Sequence, residues 1–330
     1  MKRIAKNLFM WICLPCLLLS LSGQTSQAQQ KTRLRVGYLP VLAQLPLVVS
    51  YENDRKNLSK SQPELSKYTS FTALEAALRV GAIDVASLPV PIVLGIAGDG
   101  QNIRIIGAMH HGGSRVVAKT KIGIEGLRGK LIGVPGLDTN ENFRLNTVLA
   151  QTGVREGMDY RTIRVSFTTV IEDFKQEKLD ALYLPEPFGT IIEQNKLGFA
   201  VEELNDKLAG NSDTMLVVRG EVWDKSRGAV EEWLGSLVKS CEFLEKDMKD
   251  SGARQTAIIQ AKYFGFPEDV VTGSLLQRKG NLQFGFFEPE LDEIKKIMNQ
   301  ASQMKMLTKS VNPAALLSQN EGGKAKGGKK

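Results

Sequence analysis

The chain has 330 residues, with 43 Lys and Arg against 36 Asp and Glu and a formal charge of +7. Its length suits two lobes that each bury a core, and no basic stretch is interleaved with aromatic residues, which excludes nucleic-acid binding. The excess charge sits at the ends: three basic residues precede Leu8 and the tail from Asn320 carries four Lys and one Glu, so the body is close to neutral.

Lys2, Arg3 and Lys6 lead into the apolar run Leu8 to Leu21, followed by polar residues with Ser26 and Ala28. This is the pattern of a secretory signal peptide cut near Ala28, and the run is shorter than the roughly 20 apolar residues of a membrane span. Pro15 stands where a lipoprotein signal has a small residue, so Cys16 is not expected to carry lipid. Cys13 and Cys16 leave with the leader. Cys241 then remains alone, without a disulfide partner.

The first strand is read at LRVGY, 34 to 38. Thr72 and Glu75 have the spacing of a capping box that opens a helix stopped by Gly81. A second strand, IDVASLPVPI at 83 to 92, ends in Leu-Pro-x-Pro. Both features recur 96 positions later: KLIGV at 130 to 134 places Gly133 opposite Gly37, and LDALYLPEPF at 179 to 188 places Asp180 opposite Asp84. Thr169 and Glu172 repeat the capping device. Two separate features at one offset are the trace of two similar strand-helix-strand units with parallel sheets.

After the second opening strand, GLDTNENFRLNTVLAQTGV predicts a helix capped by Asp138 or Thr139 and stopped by Gly153. Its start lies at the carboxyl end of a strand, where open parallel sheets bind ligands. Pro89, Pro91, Pro185 and Pro187 are read as rigid rims that project Val90 and Glu186 into a cleft. DTMLVVRG is expected to return to the first lobe, with helices near 226–250, 253–264 and 288–307 packed on it. Cys241 shares an apolar stripe with Trp233, Leu237 and Leu244, the setting of a buried structural thiol. Leu291, Ile294, Met298, Ala301 and Met304 form a packing stripe on the last helix.

LRVGYLP with LPLVVS, ALEAALRVGAIDVASLPVP, GGSRVVAKTKIGIEGLRGKLIGVPG and LDALYLPEPFGTIIEQ, in that order after a leader, resemble the extracytoplasmic substrate-binding proteins of ABC importers for nitrate, sulfonates and taurine. The likeness covers roughly 33 to 310. It implies an α/β, bilobed periplasmic-binding-protein fold whose two lobes, joined by two crossovers, close on a solute. The implied division is a signal peptide over 1–28, lobe one over 29–118, lobe two over 119–212, the rest of lobe one over 213–310, and a disordered Gly/Lys tail over 311–330. The implied partners are a small-molecule solute and a membrane permease, for a periplasmic monomer.

Carried over residue by residue, the resemblance implies ligand contacts at Tyr38, Leu39, Pro40 and Gln44, at Ser87 and Pro89, at His111, Gly112, Gly113 and Ser114, at Asp138, Thr139 and Asn140, and at Glu186. Two features depart from a simple anion site: an Asp138-x-x-Glu141 cap would occupy the helix amides, and Glu186 would repel nitrate. Glu186 either meets a donor on the ligand or ties its own loop to backbone amides. On the first alternative, Glu186→Ala should weaken binding about tenfold and leave the ligand-free melting temperature almost unchanged.

The sequence has no Gly-rich phosphate loop, GxSxG elbow, metal-ligand cluster or Cys–His pair. No catalytic residue, metal or cofactor is expected. The alternatives on the same scaffold are a binder of a thiamin-precursor pyrimidine, a solute sensor, and an enzyme.

Overall fold

The computed structural model describes residues 30–208 and 214–318, and the expected leader and cleavage site lie outside the described residues. In chain order the elements are β1 (Thr32–Tyr38), α1 (Leu45–Asp54), β2 (Ser61–Lys67), α2 (Phe71–Arg79), β3 (Val85–Pro89), α3 (Val90–Gly98), β4 (Ile103–His111), β5 (Ser114–Ala118) and β6 (Leu131–Val134). There follow α4 (Asn140–Gln151), β7 (Arg161–Arg164), α5 (Val170–Lys175), β8 (Ala181–Pro185), α6 (Phe188–Gln194), β9 (Phe199–Ala200) and α7 (Glu202–Leu208). The chain then returns through β10 (Thr214–Arg219), α8 (Gly220–Ser251), α9 (Arg254–Tyr263), α10 (Glu268–Leu276), β11 (Gln283–Phe287) and α11 (Leu291–Gln303).

Among the described residues the strands form two sheets, one ordered β11-β4-β10-β3-β1-β2 and the other β7-β6-β8-β5-β9. The repeat seen in the sequence is a repeat of contacts. Gly37 pairs with Ala86 in the first sheet and Gly133 with Leu182 in the second, both parallel and both 96 positions apart. The conserved spacing of the aspartates has the same cause in each unit. Asp84 accepts the amide of Arg35 at 2.9 Å, and Asp180 accepts that of Leu131 at 2.8 Å. Each carboxylate anchors the neighbouring strand, and a cation stands beside it: Arg35 at 2.5 Å from Asp84 and Lys130 at 3.4 Å from Asp180.

Gly37 is needed for packing. A Cβ there would lie 2.4 Å from Leu74 and 2.5 Å from Ile83, closer than carbon atoms approach. β2 contains Pro63 and was not read as a strand from the sequence; it lies at the sheet edge, where a missing donor is tolerated.

The structure corrects four local expectations. Ser70, not Thr72, caps α2, accepting from the Ala73 amide at 3.1 Å. Thr169 precedes α5 but makes no side-chain cap. The segment 114–118, assigned to lobe one, is strand β5, paired with β8 and β9 in the second sheet, so the first crossover lies at Gly112–Gly113. The tail is ordered further than expected: Pro313–Leu316 form a 3-10 turn, with Leu316 buried against the core and Leu317 bridging Ile105.

β10 returns to the first sheet as expected, antiparallel to β3 and β4. α8 packs Trp233, Leu237, Cys241 and Leu244 into a core shared with α1 and the sheet. Burial pushes the Cys241 thiol up to about 12, which makes it unreactive. A separate core includes both Leu88 of the first sheet and Leu182 of the second, so the lobes share apolar contacts.

Glu232 on α8 ties down the start of β2, accepting the amides of Ser59, Lys60 and Ser61 at 2.8 to 2.9 Å. Burial raises its pKa, but these bonds outweigh it and hold the carboxyl at about 2. The folded group is therefore more acidic than an unfolded Glu at about 4.3. Its contribution is complete above about pH 5 and is lost as the pH falls toward the folded value. A urea midpoint followed from pH 6 to pH 3 should fall in the wild type and fall less steeply in Glu232→Gln; parallel curves would remove Glu232 as a cause.

Candidate functional site

The carboxyl ends of the parallel strands carry the loops that meet between the sheets. After β1, the amide of Leu39 donates to Gln44 Oε1 at 2.8 Å, and Gln44 Nε2 donates to the carbonyl of Ser87 at 3.3 Å. Tyr38, Leu39, Gln44, Ser87 and Pro89 are all buried, and Pro40 is partly exposed. From the other lobe, the carbonyl of Glu186 accepts the amide of Leu42 at 2.8 Å. The loop after β1 and the loop after β8 therefore touch.

The two histidines separate, as alternation along β4 requires. His110 Nδ1 lies 2.8 Å from the carbonyl of Gly112, which can only accept, so this nitrogen carries the proton. Nε2 lies 2.7 Å from the hydroxyl of Thr214, which is hydrogen-bonded to that of Ser87 at 2.8 Å. This chain fastens the crossover to β3 and β10. His111, the histidine placed in the site by the resemblance, packs its ring on Phe287 with centroids 3.7 Å apart. Ser87 joins the site residues to His110 and Thr214, neither of which the motif comparison selected.

The crossover is gripped by the segment before β11. The amide of Gly113 donates to the carbonyl of Gly280 at 2.8 Å. Gly112 has φ +65°, and a Cβ there would stand 2.6 Å from the carbonyls of both Gly280 and Asn281. Only glycine satisfies the backbone angle and the approach together.

Glu186 is fully buried. Its Oε1 lies 2.5 Å from Arg115 Nε, and its Oε2 accepts the amide of Thr190 at 3.0 Å. Arg115 also reaches Glu193 at 2.7 Å, and Lys279 lies 3.4 Å from Glu193. Burial works to lower the Arg115 pKa, but the charges of Glu186 and Glu193 outweigh it and hold it raised. The prolines are junctions between strand and helix: Pro89 ends β3, Pro91 lies in the first turn of α3, Pro185 ends β8 and Pro187 precedes α6. Val90, expected to project from a rim, is the first residue of α3 and is packed in the core.

At the start of α4 the expected Asp138–Glu141 cap does not form. Thr139 occupies the cap position, yet its hydroxyl donates backward to the carbonyl of Gly136 at 2.9 Å. Glu141 accepts from the hydroxyl of Ser114 at 3.0 Å, which ties α4 to the crossover. Asp138 is partly exposed ahead of the helix. The first-turn amides of α4 thus have no side-chain cap, and the positive end of a helix with uncapped amides suits an acceptor or anion. Asn140, only 4% exposed, has no hydrogen-bond partner on either Oδ1 or Nδ2. It lines a groove between α4 and α11 with about 220 Å³ of free volume.

A row of six rings runs from the β1 loop into both lobes: Tyr38, Phe264, Phe266, Phe188, Phe167 and Phe71. Phe188 and Phe167 stack at 5.1 Å, while Phe266 and Phe71 approach them edge-on from elements of the first lobe. Sequence reading missed this row because its members are far apart in the chain and share no periodicity. Only Phe188, next to Pro187, carried a local signal.

A family model described as the NMT1-like family matches residues 27–260. The bicarbonate transport ATP-binding protein CmpC of Synechococcus elongatus is 19% identical over 265 residues, 73% of this chain and 40% of that protein, so the chain spans well under half of this relative. Among solved structures, the alkanesulfonate-binding protein SsuA from Xanthomonas axonopodis pv. citri, bound to MOPS, superposes with a TM-score of 0.74 at 16% identity, covering 88% of this chain and 99% of that one. The periplasmic nitrate-binding protein NrtA from Synechocystis PCC 6803 gives 0.73 at 14% identity, covering 88% and 86%. These likenesses establish the bilobed α/β fold of periplasmic binding proteins.

Proposed function

This chain belongs to the NMT1-like family, and from that premise we propose that it is a solute-binding protein that captures a small polar or anionic solute between its lobes and delivers it to an ABC-importer permease. The observation that carries this reading is the start of α4. Its amides have no side-chain cap, and the buried Asn140 beside them has both polar atoms unpartnered. A buried amide group without partners is costly unless a ligand completes its bonds.

The two sequence arguments against an anion lose their force. The Asp138–Glu141 cap is absent, and Arg115 balances the charge of Glu186. The relatives bear names tied to bicarbonate, nitrate and alkanesulfonate; our reading gives this chain the same class of work, outside the cytoplasm and as a monomer. No helix among the described residues is long and apolar enough to cross a membrane. The reading assigns no chemistry to the site.

A thermal-shift panel of nitrate, bicarbonate, taurine, alkanesulfonates and aminopyrimidines tests it. A solute at 100 times its Kd adds about 2.7 kcal/mol of stability. Selective stabilisation by one class is expected, with compaction in solution scattering as the lobes close; no stabilisation by any member would sink the reading.

A further inference from the structure

Resting on the solute-binding reading, we propose that the groove between α4 and α11 is part of the ligand site and that Asn140 selects solutes carrying an oxyanion together with a nearby N–H or O–H donor. The helix amides need an acceptor, and so does Asn140 Nδ2. Asn140 Oδ1 needs a donor. A bare oxyanion such as nitrate or an alkanesulfonate supplies only acceptors and leaves Oδ1 buried and unsatisfied. A hydroxy or amino acid, as sulfonate or carboxylate, supplies both kinds of group.

The groove gives room for the carbon body. Phe143 and Val148 of α4 and Ile297 of α11 form apolar walls, and Lys296 and Gln300 stand on the α11 side. Its 220 Å³ is below the ~300–1,000 Å³ of pockets for drug-sized ligands, which suits a short solute. α11 packs on α3 of the first lobe while facing α4 of the second, so a ligand in the groove joins the two lobes. This places part of the ligand site on α11, apart from the motif-bearing loops.

The test uses matched probes on the mature chain by calorimetry: 2-hydroxyethanesulfonate against ethanesulfonate, and 3-hydroxypropanoate against propanoate. In at least one pair the hydroxylated member is expected to bind about tenfold tighter or more, because a buried acceptor left unpaired is penalised; the pair that responds identifies the head group. Asn140→Leu should abolish the preference, and Ile297→Trp, which fills the groove, should weaken the preferred probe by about tenfold or more. Equal affinity within both pairs overturns the inference even if a variant fails to fold, and leaves the solute-binding reading intact. Preference retained in folded Asn140→Leu, or full affinity in folded Ile297→Trp, overturns it also. Absence of binding by all four probes overturns the inference, while a response to nitrate or bicarbonate in the wider panel would preserve the solute-binding reading.

Discussion

Glu186→Ala should destabilise the ligand-free protein by about 3–5 kcal/mol, the range for removing one partner of a buried ion pair. Glu186 is fully buried and Arg115 is 4% exposed. The substitution takes from Arg115 its nearer carboxylate at 2.5 Å, leaving Glu193 at 2.7 Å, and strips the Thr190 amide of its acceptor. The expectation from sequence, an unchanged melting temperature, does not survive this geometry. Replacing both partners by apolar residues, Glu186→Leu with Arg115→Met, should lose less than the single substitution, since no buried charge is stranded. Urea denaturation of the two variants separates the cases. A single variant as stable as wild type would mean that water or Glu193 fully replaces Glu186.

The repeat was legible because its cause is local and periodic. Asp84 and Asp180 each fix a neighbouring strand, and Gly37 and Gly133 each admit the side chains packed above them. Such requirements leave the same residue at the same offset. The role of Glu186 was not legible, since Arg115 lies 71 positions away and only folding brings the two together. The α4 cap was misread for a related reason. Asp138 and Glu141 have the right spacing, but Ser114 and Gly136 compete for the groups at that turn. The contribution of α11 was read only as packing, because one stripe of a helix indicates burial and does not tell which polar residues beside it face another helix.

Phe188→Ala should also cost about 3–5 kcal/mol, and its effect should reach beyond stability to the closure of the lobes. Phe188 is 3% exposed and lies in the middle of the ring row, stacked on Phe167 and edge-on to Phe266 at 6.0 Å. Truncation removes the ring's burial and leaves a cavity, the combination behind the large cost of aromatic-to-alanine changes in cores. Aromatic pairs add about 0.5–1.5 kcal/mol beyond area alone. Part of that energy joins the lobes, because Phe266 comes from the first lobe and Phe188 from the second. The variant should therefore populate an open form more in the absence of solute and bind solute more weakly. Scattering would show a larger radius of gyration than wild type before ligand and the same radius at saturation. Equal radii in both conditions would confine the ring row to stability, with lobe closure held instead by the Leu42–Glu186 contact and the turn around Gly280.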